Sequence, residues 1–105
     1  MVMHVKPENL RGAANICSDG GKHPLAAMFG ADETQRGGGL AIYCLFYNKE
    51  KRSLDTLKAE FPKEGPFSYP CLTNILPAAA WYERELHDMF GIVPEDHPDL
   101  RPLVL

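Results

Sequence analysis

The period of the apolar positions changes along the chain, and each change marks an element. Pro7 suits the first turn of a helix. After it Leu10, Ala13, Ala14 and Cys17 fall at i, i+3, i+4 and i+7, one apolar stripe. The spacing predicts a helix over 7–18, weakened at Gly12 and stopped by Asp19-Gly20-Gly21. From Pro24 to Ala31 the period is two. Leu25, Ala27, Phe29 and Ala31 share one parity, as in a strand with one buried face. Asp32 to Gly39 is polar, ends in three glycines, and reads as a hairpin loop. In Leu40–Tyr47, Leu40, Ile42, Cys44 and Phe46 line one side and Ala41, Tyr43, Leu45 and Tyr47 the other. With both sides apolar, this strand is expected at the centre of a sheet and covered on both faces. Asn48-Lys49-Glu50-Lys51 makes a turn, and Arg52–Phe61 a third, more exposed strand in which Leu57, Ala59 and Phe61 alternate with Lys58 and Glu60.

Pro62–Pro70 holds three prolines and a glycine, an irregular excursion, and Cys71–Leu76 has room for a short edge strand. Pro77 opens a second helix and Gly91 closes it. Projected at 100° per residue, Ala78, Tyr82, Leu86 and Met89 cluster, with Trp81, Ala79 and Phe90 on their flanks and Glu83 and His87 opposite. Arg84 and Asp88, four apart, can pair. Glu85 falls inside the apolar arc, where a carboxylate is costly unless paired and hydrogen-bonded. It is expected to be buried in an ion pair with Arg101, or with Arg84 or a backbone amide. The alternative is an acid–base group. Glu83 is expected to be exposed. Pro94, Pro98 and Pro102 deny residues 92–105 a helix and predict an extended tail. The order αβββ(β)α predicts an α+β fold. Its antiparallel sheet has three to four strands, with helices on one face and an extended proline-rich C-terminal tail.

Composition narrows the function. A chain of 105 residues is read as one domain, 1–105, since two would each be too small to bury a core. A formal charge of −3 argues against a nucleic-acid binder. The longest uncharged apolar run is Leu40–Tyr47, eight residues, against about 20 for a spanning helix, so no membrane insertion is expected. No apolar stretch follows Met1 that would suit a secretory signal. Cys17, Cys44 and Cys71 form no CxxC pair and are expected as reduced, buried thiols. His87 and His97, even with Glu83, fall short of a tight zinc motif. Gly37-Gly38-Gly39 precedes a strand, not a helix, and so does not make the usual phosphate cradle. No P-loop, GxGxxG or Ser-His-Asp order is present.

The segment Trp81-Tyr82-Glu83-Arg84-Glu85-Leu86-His87-Asp88-Met89-Phe90-Gly91-Ile92, followed by His97-Pro98-Asp99-Leu100-Arg101, resembles the signature of the respiratory complex I 30 kDa subunit family. That family includes the C subunit of bacterial NADH dehydrogenase and its counterparts in membrane-bound energy-converting [NiFe] hydrogenases and formate hydrogenlyase. The clear match covers Pro77–Leu103. The quinone-reducing branch usually has Gly before the His-Pro and a second arginine after the first; here those positions are Asp96 and Pro102, which favours the hydrogenase branch. The apolar end, Pro102-Leu103-Val104-Leu105, is expected to be docked.

The resemblance implies a non-catalytic scaffold without cofactors of its own. It would brace a large catalytic subunit beside a small iron–sulfur subunit, on the cytoplasmic side and peripheral to the membrane. The nickel–iron and iron–sulfur centres would belong to those partners. A small independent enzyme using Glu85, His87 and His97 is the competing reading, and it needs one pocket to gather all three.

Overall fold

The computed structural model of the protein describes residues 2–98. Four strands make the main sheet: β1 (Val2–Val5), β2 (Leu25–Asp32), β3 (Leu40–Asn48) and β4 (Ser53–Glu60), in the order β1-β4-β3-β2. β2, β3 and β4 form the expected antiparallel meander. β1 joins β4 in parallel, so the sheet is mixed and not wholly antiparallel. Four residues are too few for alternation to stand out, which is why the pattern showed no sign of β1. The helix expected over 7–18 divides into a 3₁₀ turn, Pro7–Asn9, and α1, Leu10–Ser18, which stops where Asp19 takes a left-handed φ of 46°.

α1 packs against β3 and β4, and α2 (Ala79–Phe90) against β2. Register fixes the face they share. Met28, Cys44 and Leu57 are neighbours across β2, β3 and β4, as are Gly30, Ile42 and Ala59. With Leu10, Ala14, Ala79 and Leu86, the apolar members of these rows form a buried cluster. β3 is central, as expected, but it is not covered on both faces. Tyr43 and Leu45 are half-buried, and Tyr47 is exposed on the side away from the helices.

The parity expected for β2 is also corrected, since Met28 is 3% exposed and Phe29 46%. A register shift lies between Leu25 and Ala27. A one-residue change there carries every later side chain to the other face. Gly30 explains what α2 gains. A Cβ at Gly30 would stand 2.7 Å from Phe90 and 2.8 Å from Leu86, so the bare backbone admits the helix. Phe29 instead stacks on Tyr43 across the open face, centroids 5.2 Å apart and 14° from parallel.

A second, two-stranded sheet pairs β5 (Ser68–Pro70) with β6 (Val93–Glu95) in parallel. The edge strand expected over 71–76 is therefore displaced. The strand precedes that stretch and pairs with the tail, while 71–76 turns. The tail is extended through β6, as expected, and no helix lies in the described part of it. α2 ends at Gly91, φ 71°, whose N–H donates to the His87 carbonyl at 3.0 Å. Its buried face is Ala79, Glu83 and Leu86, rotated by roughly 80° from the expected Ala78, Tyr82, Leu86 and Met89. Met89 is 71% exposed and Trp81 51%. The projection erred because a carboxylate is part of the true core stripe.

Candidate functional site

α2 directs Glu83, 0% exposed, at β5 and the turn that follows it. Oε2 accepts hydrogen bonds from the Tyr69 hydroxyl at 2.5 Å and the Leu72 N–H at 2.8 Å. Oε1 accepts from the Thr73 N–H at 3.0 Å and the Thr73 hydroxyl at 2.5 Å. His97 closes the group, its Nε2 3.8 Å from Oε1. The local chain explains the convergence. The Cys71 N–H donates to the Glu95 carbonyl at 3.0 Å and continues the β5–β6 pairing. The chain then turns, and the next two N–H groups point at one anion. Successive N–H groups in a turn form an anion-binding concavity; here the anion is the protein's own side chain. The same demand removes Leu72 and Thr73 from any strand ladder.

The surroundings follow the buried charge. Burial first, then the Glu83 charge and hydrogen bond, push the Tyr69 phenol far above its usual value near 10. Burial, with Glu83 second, pushes the Cys44 thiol up to about 12. Both groups therefore stay protonated at neutral pH. A carboxylate offers about four acceptor positions, and here four donors occupy them. Chemically the arrangement is a joint. It ties α2 to the β5 turn and brings the tail, through His97, to the same point.

The expected site residues sort as follows. Glu85 is not the buried acid. It is half-buried at a groove, and no hydrogen bond or ion pair reaches it from the described residues. The carboxylate in the core is Glu83, which the pattern placed opposite. Arg101, the expected partner, lies outside the described residues, as do Asp99 and Leu100. The Arg84 guanidinium sits 5.9 Å over Trp81. Asp88 Oδ1 is 3.7 Å from His87 Nδ1. Phe90 packs onto Gly30, Gly91 caps the helix, Met89 is exposed, and Pro98 is the last described residue. Glu85, His87 and His97 thus have different neighbours and form no common site. Among the described residues no group of three or more His, Cys, Asp or Glu is placed to hold a metal ion. Sequence reasoning missed Tyr69, Leu72 and Thr73, which lie in a stretch without period. The available signal was Glu83 itself, four residues after Ala79 and three before Leu86.

A second polar cluster sits on the open face of the sheet. Glu33 accepts from the Tyr43 hydroxyl at 2.9 Å, and Lys58 Nζ lies 2.7 Å from its other oxygen and 5.3 Å above the Tyr43 ring. The hydrogen bond from Lys58 holds the Glu33 carboxyl below the usual carboxylate range. The same bond raises Lys58 to about 12.

Residues 3–105 match the model of the family described as respiratory-chain NADH dehydrogenase, 30 Kd subunit. Formate hydrogenlyase subunit 5 of Escherichia coli (strain K12) is 40% identical over 82 residues, 77% of this chain and 14% of that protein. The C/D subunit of NADH-quinone oxidoreductase from Azotobacter vinelandii is 39% identical over 87 residues, 77% of this chain and 15% of that protein. The separate C subunit of NADH-quinone oxidoreductase from Mesorhizobium japonicum is 28% identical over 107 residues, 99% of this chain and 52% of that protein. The chain therefore spans about half or less of the length of these relatives. A trypsin-resistant fragment (1-134) of Nqo5 superposes with a TM-score of 0.78 and 25% identity, over 94% of this chain and 81% of that one. No helix among the described residues is long and apolar enough to cross a membrane.

Proposed function

Because the chain belongs to the respiratory-chain NADH dehydrogenase 30 kDa subunit family, we propose that it is a non-catalytic module of a membrane-associated, multi-subunit oxidoreductase. In this reading it braces the large catalytic subunit, next to the small iron–sulfur subunit. The nickel–iron and iron–sulfur centres reside in those partners, and the module sits peripherally on the cytoplasmic side. One observation carries the reading: the same module makes up half of a separate C subunit and about a seventh of relatives named C/D or formate hydrogenlyase subunit 5. A unit found separate in one relative and fused in another works beside the remainder of the longer chain. The Glu83 joint supports a bracing role, because its donors fix the relative positions of a helix, a turn and the tail rather than leaving a reactive group free.

Identity does not separate the branches, at 40% on the hydrogenase side and 39% on the quinone side. Asp96 in place of the Gly usual in the quinone branch favours the hydrogenase branch; its φ of 63° suits either residue. The position needs a left-handed backbone, which Gly takes freely and Asp tolerates. Purifying the tagged chain from its own cells tests the function. The expected result is a stoichiometric large oxidoreductase subunit in the eluate. The isolated chain is expected to show no hydrogenase or NADH dehydrogenase activity. Activity or a stoichiometric metal in the isolated chain would overturn the reading.

A further inference from the structure

β2 is an edge strand, and no described strand pairs with its outer side. Such an edge presents unpaired N–H and C=O groups, and proteins usually protect it with lysine, proline, a short strand or a cover. β2 runs eight residues, Leu-Ala-Ala-Met-Phe-Gly-Ala-Asp, with no lysine, no proline and no charge before Asp32. Its irregularity lies at the start, between Leu25 and Ala27, so 28–31 is regular strand.

A hollow of about 110 Å³ lies between β2 and α2, with Met28, Phe29, Tyr82, Glu85 and Met89 in its wall. Met28 and Phe29 are consecutive, so their side chains point to opposite faces. The hollow reaches both residues and so lies against β2 itself. Within it Glu85 is half-buried among apolar groups, and nothing among the described residues pairs with it. A charge partly withdrawn from water and left uncompensated favours an incoming cation. A second copy of the chain paired through β2 would bring none, since β2 has no Lys or Arg.

We propose that the outer edge of β2 receives an extended segment of the large-subunit partner. The segment adds to the sheet as a further strand, seats an apolar side chain in the hollow and sets a lysine or arginine on Glu85. This assignment rests on the proposed function and names where that partner attaches.

The test uses the tagged full chain expressed in its own cells, as wild type and as E85K, E85Q and E50K. Glu50 lies exposed in the turn between β3 and β4 and serves as the charge control. Large subunit is measured against tagged chain, and hydrogen exchange is compared between the captured complex and the free chain. The amides of 28–31 that do not bond β3 are expected to slow at least about tenfold in the complex. E85K is expected to retain about a tenth or less of the large subunit, E85Q an intermediate amount and E50K the wild-type amount. Melting of the free variants, unchanged, separates lost docking from lost folding. Capture of the large subunit with unchanged 28–31 exchange overturns the edge assignment alone, as does wild-type assembly by E85K. Protection in the free chain of those 28–31 amides that do not bond β3 overturns it too, whether it rises with concentration, as for a second copy, or disappears on truncation after Pro98, as for the chain's own end. No large subunit with the wild-type chain overturns both this assignment and the proposed function.

Discussion

Removing the Glu83 carboxylate should affect the fold more than removing any other charge in α2. Glu83→Ala strands the Tyr69 hydroxyl and the Leu72 N–H, both buried donors. Each buried donor left unsatisfied costs about 1–3 kcal/mol, so the pair gives about 2–6 kcal/mol. The two Thr73 donors are only partly buried and can turn to water. A loss of this size is a large part of the ~5–15 kcal/mol that holds a typical domain together. Glu83→Gln keeps the shape but sets an NH₂ donor against two existing donors, and about 2–4 kcal/mol is expected. Glu85→Ala, half-buried and unpaired among the described residues, should change stability by less than about 1 kcal/mol. Urea unfolding of the free chain, followed by far-ultraviolet circular dichroism, gives all three values. Agreement between Glu83→Ala and Glu85→Ala within about 0.5 kcal/mol would refute the clamp, as would a silent Glu83→Gln.

Gly30→Ala should destabilise by about 1–3 kcal/mol through overpacking, because its Cβ would stand 2.7 Å from Phe90 and 2.8 Å from Leu86; an unchanged melting temperature would contradict the close approach of α2 to β2. Asp96→Gly should raise stability by up to about 1 kcal/mol and Asp96→Val lower it, since position 96 holds a φ of 63°; a larger loss for Gly than for Val would count against this. Alkali should weaken the fold. The Cys44 thiol, at about 12, and the Tyr69 phenol are both held protonated in the native state. Their contribution is complete below the unfolded thiol value of 9.0 and declines as pH rises toward about 12. The slope is about 1.4 kcal/mol per pH unit for each group. Cys44→Ala should flatten the first part of that decline in unfolding titrations between about pH 9 and 11.

Elements with a regular period were legible in the sequence, and their orientations were not. Leu40–Tyr47 announces a central strand and Pro77 to Gly91 a helix, and both form nearly where expected. Both faces of Leu40–Tyr47 are apolar, however, so the pattern offered nothing to tell the helix-covered face from the open one. β2 inverted because the register shift near Ala26 is a backbone event without a residue signature. Its core-facing Gly30 has no side chain to enter a hydrophobic count. β1 and β5 are too short to show a period, and each exists through a partner distant in sequence: β4 for β1 and β6 for β5.

The candidate site went astray for a related reason, and the error shows what the signature does. A hydrophobicity projection assigns a carboxylate to solvent, and so it turned α2 away from Glu83 and left Glu85 as the anomaly. Glu83 can lie in the core because four donors from Tyr69, Leu72 and Thr73 meet it there, and none of them lies in an element with a period. The expected contact between the two parts of the signature was Glu85 with Arg101, and Arg101 lies outside the described residues. The pair that the described residues bring together is Glu83 with His97, 3.8 Å apart, in place of Glu85 with Arg101. Gly91 ends α2 and β6 then pairs with β5, so the tail returns to the middle of the helix it has just left. Two positions along a helix turn a side chain by about 200°. With Glu83 facing the β5 turn, Glu85 must therefore stand on the other side of α2, at the rim of the β2 groove. One helix thus supplies one acid that ties it to the β5 turn and a second, two residues on, that stands in the groove beside β2.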